Sequence, residues 1–138
     1  MTRVDFHSKV GDPLHYACRL VRKAYHARLP VTVVGERDTL RRFDTLLWTF
    51  APLDFIPHCA ADDDEAAHSP VVLCESAEAS PHHAVLLNLG PAVPRQFARH
   101  ERLLEVVGEA PEQLMAGRER YRFYRERGYA INNYTAQA

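Results

Sequence analysis

The run Val31-Thr32-Val33-Val34 is the feature that most restricts the fold of this chain. All four residues are β-branched, and Pro30 and Gly35 bound them. A strand with one solvated face would alternate polar and apolar residues, whereas a continuous run of this kind is typical of a strand buried on both faces. Such strands belong to parallel sheets, so the chain is predicted to be an α/β protein.

Helix and strand patterns alternate on either side of this run. Helices are predicted from Pro13 to about Arg28, Arg37 to Phe50, near Val93–Arg99, and Pro111 to about Arg127; strands are predicted at Thr2–His7, Val71–Cys74, Ala84–Leu89 and Leu103–Val107. Ala51–Pro70 is expected to be a long loop, and a short polar tail is expected after Gly128. Right-handed crossovers between parallel neighbours then give a three-layer α/β/α sandwich, with a mainly parallel sheet of about five strands, in a single domain covering residues 1–138.

The composition fits a soluble, folded domain. The 138 residues are 46% hydrophobic and carry a formal net charge of −1. No apolar run approaches the roughly 18 residues of a membrane span, and the first residues lack a signal-peptide pattern, so a cytoplasmic protein is expected. Cys18, Cys59 and Cys74 are too few and too scattered for a disulfide framework, and they are expected to be reduced.

No motif for a cofactor, a metal or a catalytic group is evident. The six glycines are too dispersed for a phosphate-binding loop. The acidic run Asp62–Glu65 is expected to be solvated and ionised. Only one group of His and Cys residues is close enough in sequence to be considered as a metal site, and its spacing matches no zinc-binding pattern. The group consists of Cys59, His68, Cys74, His82 and His83. We therefore expect no cofactor, no metal and no enzymatic activity.

The final predicted helix concentrates arginine. Gly117–Tyr129 reads GRERYRFYRERGY and contains five arginines. At 100° per residue, Arg118, Arg122 and Arg125 fall along one border of the apolar stripe, and Arg120 and Arg127 fall along the other. Arg118, Arg122 and Arg125 together are called the arginine strip.

Two interpretations of the arginine strip remain open. It could be a solvated helix face with intrahelical ion pairs, since Glu119 and Glu126 are spaced to reach Arg122. Alternatively, it could bind anions, because Arg118 and Arg125 have no acidic residue three or four positions away. Arginine is suited to bidentate capture of carboxylates and phosphates.

Trp48 is the second candidate for a contact surface. It lies off the inward stripe of its predicted helix, where a large indole either marks an interaction site or is covered by Phe55 and Ile56 of the following segment. If Trp48 lies beside the arginine strip, the two would form a pocket for an acidic peptide with an apolar end.

These residues resemble the chi subunit family of bacterial DNA polymerase III, over nearly the whole chain. The resemblance is carried by Leu47-Trp48, Phe55-Ile56-Pro57-His58, Arg118-Glu119-Arg120-Tyr121-Arg122, Tyr124-Arg125, Gly128-Tyr129 and Asn132. It implies a Rossmann-like fold and a non-catalytic accessory subunit of the clamp loader. Such a subunit binds the acidic C-terminal tail of single-stranded DNA-binding protein and pairs with the small psi subunit.

The resemblance also implies roles for individual residues. Arg118 and Arg122 match basic positions that grip the tail, with Tyr121 and Arg125 nearby. Trp48, Phe55 and Val107 match positions beside the pocket for the tail's last residue. This chain departs from the family at Leu114, where a lysine can occur, and Arg125 or Arg120 could supply the missing charge.

Direct binding of single-stranded nucleic acid is the alternative function. The arginine strip would then contact phosphates, and Trp48 would stack on a base. The negative net charge disfavours this alternative. A small-molecule enzyme is disfavoured because no acid, base or nucleophile can be placed.

Overall fold

The structure is a computed structural model that describes residues 1–50 and 55–136. In chain order the elements are β1 (Arg3–Val10), α1 (Pro13–His26), β2 (Val31–Val34), α2 (Arg37–Thr49), β3 (His58–Ala60), β4 (Val71–Cys74), β5 (Val85–Asn88), β6 (Arg102–Gly108), α3 (Pro111–Glu126) and β7 (Ala130–Thr135). Single 3₁₀ turns lie at Ala66–His68, Ala77–Ala79 and Phe97–Arg99.

The strands form one seven-stranded sheet in the order β3-β4-β2-β5-β6-β1-β7. Every pair of neighbours is parallel. The α/β prediction is confirmed, but the sheet has two strands more than expected. One of them, β3, lies within the predicted loop Ala51–Pro70, of which residues 51–54 fall outside the described part. The other, β7, lies in the predicted polar tail.

The core has two layers, one on each face of the sheet. Along β6, Leu104 and Val106 pack on the side of α1 and α2, whereas Leu103 and Val107 pack on the side of α3. This alternation follows from the two-residue period of a strand. Helices α1 and α2 therefore cover one face and α3 covers the other, as a three-layer sandwich requires.

The helix boundaries have local causes. Asp12 caps α1 by accepting a hydrogen bond from the backbone N–H of His15, at 3.2 Å, and Pro13 occupies the first turn. Helix α3 ends before Gly128, whose φ of 78° lies in the left-handed region that glycine tolerates. The helix predicted near Val93–Arg99 is only the turn Phe97–Arg99, because the prolines at 91 and 94 leave no room for a longer helix.

The three cysteines are all free thiols. Burial raises the pKa of Cys18 to about 12, with Asp12 adding to the effect, and raises the pKa of Cys74 to about 11. Cys59 is only partly buried, on β3. The side chains of Cys18 and Cys74 therefore behave as small apolar groups of the core.

Candidate functional site

Helix α3 lies very close to β6 because of Gly117. A Cβ atom at this position would come within 2.8 Å of Cγ1 of Val107. Such a distance is shorter than real contacts allow, so only glycine permits this approach. Val107, predicted to line a pocket, is accordingly 6% exposed and lies beneath α3.

The arginine strip lies on the solvent side of α3, where all three residues are exposed. Arg122 is 3.9 Å from Glu119, and both side chains are largely solvated, so this pair contributes little. Within the described residues, Arg118 and Arg125 have neither an ion pair nor a hydrogen bond to a side chain. Two of the three cations are therefore uncompensated by the protein itself.

Tyr121 connects the arginine strip to the edge of the sheet. Its ring packs edge-on against Phe6 of β1, with centroids 5.1 Å apart. Its hydroxyl accepts a long hydrogen bond of 3.4 Å from the side-chain amide of Asn133 on β7. Tyr121 lies three residues after Arg118 and directly before Arg122, so it is next to the arginine strip on the helix surface. Because Tyr121 contacts Asn133, the border of α3 that carries the strip faces β7.

Arg120 does not belong to any solvent-facing border. It is 5% exposed, and its Nε donates to Oε1 of the fully buried Glu105 at 2.9 Å. The carboxylate also accepts from the hydroxyl of Tyr124, at 2.6 Å, and from the amide of Asn88. Arg120 donates further to the carbonyl of Pro91.

Burial dominates the titration of this network. It raises the pKa of Glu105, against the opposing effects of Arg120, Tyr124 and Asn88. Burial, and then the charge of Glu105, raises the pKa of Tyr124. The expectation that Arg120 could replace the charge missing at Leu114 is therefore wrong, because its guanidinium is already engaged.

Trp48 and Phe55 form a second exposed surface, the aromatic patch. They are 44% and 68% exposed, and their ring centroids are 5.1 Å apart. The indole also lies 4.0 Å from the ring of His58, which is buried behind it. The interpretation that Phe55 and Ile56 cover Trp48 is only partly confirmed, since Phe55 packs against the indole yet leaves much of it exposed to solvent.

His58 fixes the base of the aromatic patch. Its Nδ1 is 2.8 Å from the carbonyl oxygen of Ile56. Its Nε2 is 2.9 Å from Oδ1 of Asp44 on α2, close enough for an ion pair but not aligned as a good hydrogen bond. Both ring nitrogens thus face oxygen atoms, and the ring links β3 to α2.

The structure does not bring the aromatic patch and the arginine strip together. Trp48 is on α2 and contacts β3, the first strand of the sheet, whereas α3 packs on β6 and β7 across the opposite face. Four strand spacings separate β3 from β6, or about 19 Å at the usual 4.8 Å, and the sheet itself lies between. The expected single pocket of Trp48, Phe55 and Arg118 is therefore wrong.

Neither a metal site nor a membrane-spanning helix is found among the described residues. Among the described residues, no three His, Cys, Asp or Glu side chains are grouped so that they could hold a metal ion. No helix in the same ranges has the length and apolar character needed to cross a bilayer.

Fold and surface together define a parallel α/β protein that exposes a cationic strip and an aromatic patch on opposite faces. The sequence profile of the family described as "DNA polymerase III chi subunit, HolC" matches residues 1–132. A protein of Pseudomonas aeruginosa named "DNA polymerase III subunit chi" is 36% identical over 139 residues, covering 97% of this chain and 96% of the relative. The chain belongs to the chi subunit family of DNA polymerase III, a family of replication accessory subunits.

Proposed function

We propose that this protein is a non-catalytic tether of the replication machinery that binds the acidic C-terminal tail of single-stranded DNA-binding protein through the arginine strip. The observation that carries this proposal is the pair of exposed, uncompensated cations at Arg118 and Arg125. Guanidinium groups that are free in the unbound protein can pair with carboxylates without first losing an internal partner. We propose a cytoplasmic location for this activity.

The apolar end of the tail must contact residues other than Trp48 and Phe55, because these two lie on the opposite face of the sheet from the arginine strip. Leu114 and Tyr121, both half-buried, flank the strip and belong to the same apolar layer as Val107. We assign the tail's terminal aromatic side chain to these residues. Leu114 then contributes apolar contact where a lysine would contribute charge.

The aromatic patch is the surface we assign to the psi subunit, through which chi would join the clamp loader. Exposed aromatic side chains such as Trp48, here packed against Phe55 at a tilt of 38°, are typical of interface anchors. The patch is far enough from the arginine strip that both partners can bind at the same time. Such a two-ended arrangement is what a tether needs.

The interface with the tail is small, and its strength should reflect that. A peptide of several residues buries less than a standard interface, so we expect micromolar affinity. Each desolvated Arg–carboxylate contact contributes about 1.5–3 kcal/mol. Raising the ionic strength should weaken binding, because these cations are exposed.

A titration with a synthetic acidic peptide that ends in phenylalanine tests the tail site. Arg118→Ala should weaken binding at least tenfold, and removal of the last residue should weaken it further. Arg127→Ala is the matched control, since Arg127 lies on the other border of α3 with its guanidinium 3.6 Å from the ring centroid of Phe123. Equal affinities for wild type and Arg118→Ala would disprove the assignment.

The assignment of psi to the aromatic patch is tested by comparing how variants of the two surfaces bind psi and the acidic peptide. Phe55→Ala should reduce binding of purified psi and leave the peptide titration unchanged, while Arg118→Ala should do the opposite. Loss of both partners in either soluble, folded variant would contradict the assignment of separate surfaces.

Direct binding of single-stranded nucleic acid through Arg118, Arg122 and Arg125 remains the alternative, but its stacking residue is missing. Trp48 is on the other face of the sheet, so a strand held by the arginine strip cannot place a base on the indole. Oligonucleotide binding at physiological salt, measured without single-stranded DNA-binding protein, should be weak or absent.

A further inference from the structure

Strand β7 presents an open edge on the side of the sheet that carries the arginine strip. It pairs with β1 from Arg3↔Ala130 to Ser8↔Thr135, and it is the last strand in the spatial order. Five of its six residues are exposed, and in the described part of the chain no other strand pairs with its outer side. Its outward backbone groups therefore lack partners within the sheet.

The pairing with β1 identifies which backbone groups point outward. The N–H of Ala136 donates to the carbonyl of Ser8, at 2.9 Å, so the even-numbered residues at this end of the chain face β1. Backbone direction alternates along a strand. The N–H and C=O groups of Ile131, Asn133 and Thr135 consequently point away from the sheet.

Within Ala130–Thr135, the residues of β7 themselves carry none of the usual sequence protection against strand addition. Natural edge strands are guarded by lysine, proline, bulges or short length. The sequence of β7 is AINNYT, with no charged residue and no proline, and its pairing with β1 is continuous over six residues. An unprotected edge of this length is suited to main-chain recognition of an extended peptide.

The arginine strip adds charge selectivity to the same edge. The side chains of Ile131 and Asn133 lie on the α3 face, as their contacts with that layer and with Tyr121 show. Arg118 and Arg122 are about 6 Å apart along the helix axis. Residues i and i+2 of a strand project to the same face about 6.7 Å apart, so alternate side chains of an added strand match this spacing.

We propose that the outer edge of β7 receives an acidic, extended chain end as an additional strand, whose alternate carboxylates pair with Arg118 and Arg122. This proposal rests on the proposed function, because the acidic chain end is the same tail. It adds that backbone hydrogen bonds to Ile131, Asn133 and Thr135 hold the tail, and that acids at every second position are the preferred pattern.

Backbone methylation of the peptide tests the proposal without altering the protein. The probe is an eight-residue peptide in which threonine and aspartate alternate and phenylalanine, in phase with the aspartates, is last. One version is N-methylated at the aspartates and the other at the threonines. Only one set of amides can face β7, so one version should bind at least tenfold more weakly and the other within twofold of the parent.

The sensitive set also reports the direction of the added strand. With the aspartates on the α3 face, the threonine amides face β7 if the peptide is parallel to it, and the aspartate amides do so if it is antiparallel. Equal effects of the two methylations overturn strand addition. If methylation has no effect but Arg118→Ala weakens binding, tail binding stands and strand addition fails; if neither has an effect, both fail.

Hydrogen exchange gives a second readout in the full-length protein. The amides of Ile131, Asn133 and Thr135 should be slowed at least tenfold by saturating peptide, while Asn132 and Tyr134, already paired with β1, should change little. Asn133→Pro removes one outward N–H and should weaken binding several-fold relative to Asn133→Ala. A dimer in sedimentation, with these same amides protected in the free protein, would mean that a second copy occupies the edge, and this would also overturn the proposal.

Discussion

Trp48 and Arg118 lie on helices that pack against opposite faces of the same sheet, with four strand spacings between the strands beneath them. A single ligand as short as a peptide tail cannot contact both residues without passing around the sheet. The two exposed features of this chi-family protein are therefore separate surfaces, and they can be examined independently.

Trp48 is the only tryptophan of the chain and so reports on one surface alone. Saturation of the arginine strip with the acidic peptide should leave its fluorescence maximum within about 2 nm of that of the free protein, because the indole contacts β3, which lies about 19 Å from β6, and the strip is on the opposite face of the sheet. Binding of psi to the aromatic patch should shift the emission to the blue as the indole loses water. A blue shift caused by the acidic peptide would contradict the separation.

The buried pair of Arg120 and Glu105 should dominate the stability of α3. Arg120→Met leaves a buried carboxylate without its cation and should lower the free energy of unfolding by about 3–5 kcal/mol. Arg118→Met, the matched control on the exposed border, should change it by less than about 0.5 kcal/mol. The double variant Arg120→Met/Glu105→Gln should lose less than the sum of the single variants in urea titrations. Strict additivity would show that the two groups are not coupled.

Gly117→Ala should disturb α3 despite the higher helix propensity of alanine. The propensity gain of about 1 kcal/mol opposes an overpacking cost of about 1–3 kcal/mol against Val107. We expect net destabilisation together with weaker peptide binding, since a displaced helix moves the arginine strip. The second change Val107→Ala makes room for the new methyl group and should recover part of the peptide affinity. A Gly117→Ala protein that is more stable than wild type would contradict the close approach of the two elements.

His100 should make the protein less stable in acid. Burial lowers its pKa from 6.5, and His83 contributes in the same direction; backbone groups of Phe97 and His82 partly oppose the change. Below pH 6.5 the unfolded chain therefore binds more protons than the folded protein, and stability falls as the pH decreases from that value through the folded pKa. Burial lowers the pKa of His7 as well, with the same sign.

The variant His100→Leu tests whether His100 causes the loss of stability in acid. Neither ring nitrogen of His100 has a well-aligned hydrogen bond in the described structure, so an apolar side chain of similar volume should cost less than about 1 kcal/mol at pH 7.5. Denaturant titrations between pH 5 and pH 8 should show a flatter profile for this variant. An unchanged slope would assign the acid sensitivity to other groups.

Sequence patterns were sufficient for the central part of the fold. Val31–Val34 and Leu103–Val107 are apolar enough to be recognised as buried strands, and α1 has both a capping residue and a periodic stripe. Strand β7 was missed because AINNYT is mostly exposed and so carries no hydrophobic pattern. Strand β3 has only three residues and follows a proline.

The site was harder to predict because it depends on which face each helix covers. Helical periodicity places Arg118, Arg122 and Arg125 along one border of α3 and Arg120 along the other. It could not show that Arg120 is buried, because its partner Glu105 is 15 positions earlier in the chain. One signal was available: Glu105 stands in the middle of an apolar strand, and a buried carboxylate requires a donor. No local pattern could show that Trp48 and Arg118 are separated by the sheet.

The burial of Cys18 and Cys74 has a practical consequence for labelling. Thiols that ionise only at such high pH react slowly with maleimides, so a dye added near neutrality should attach selectively at Cys59. That residue lies beside the aromatic patch on β3. The native chain thus already provides one defined attachment point for following a partner's arrival, without removing any cysteine by mutation.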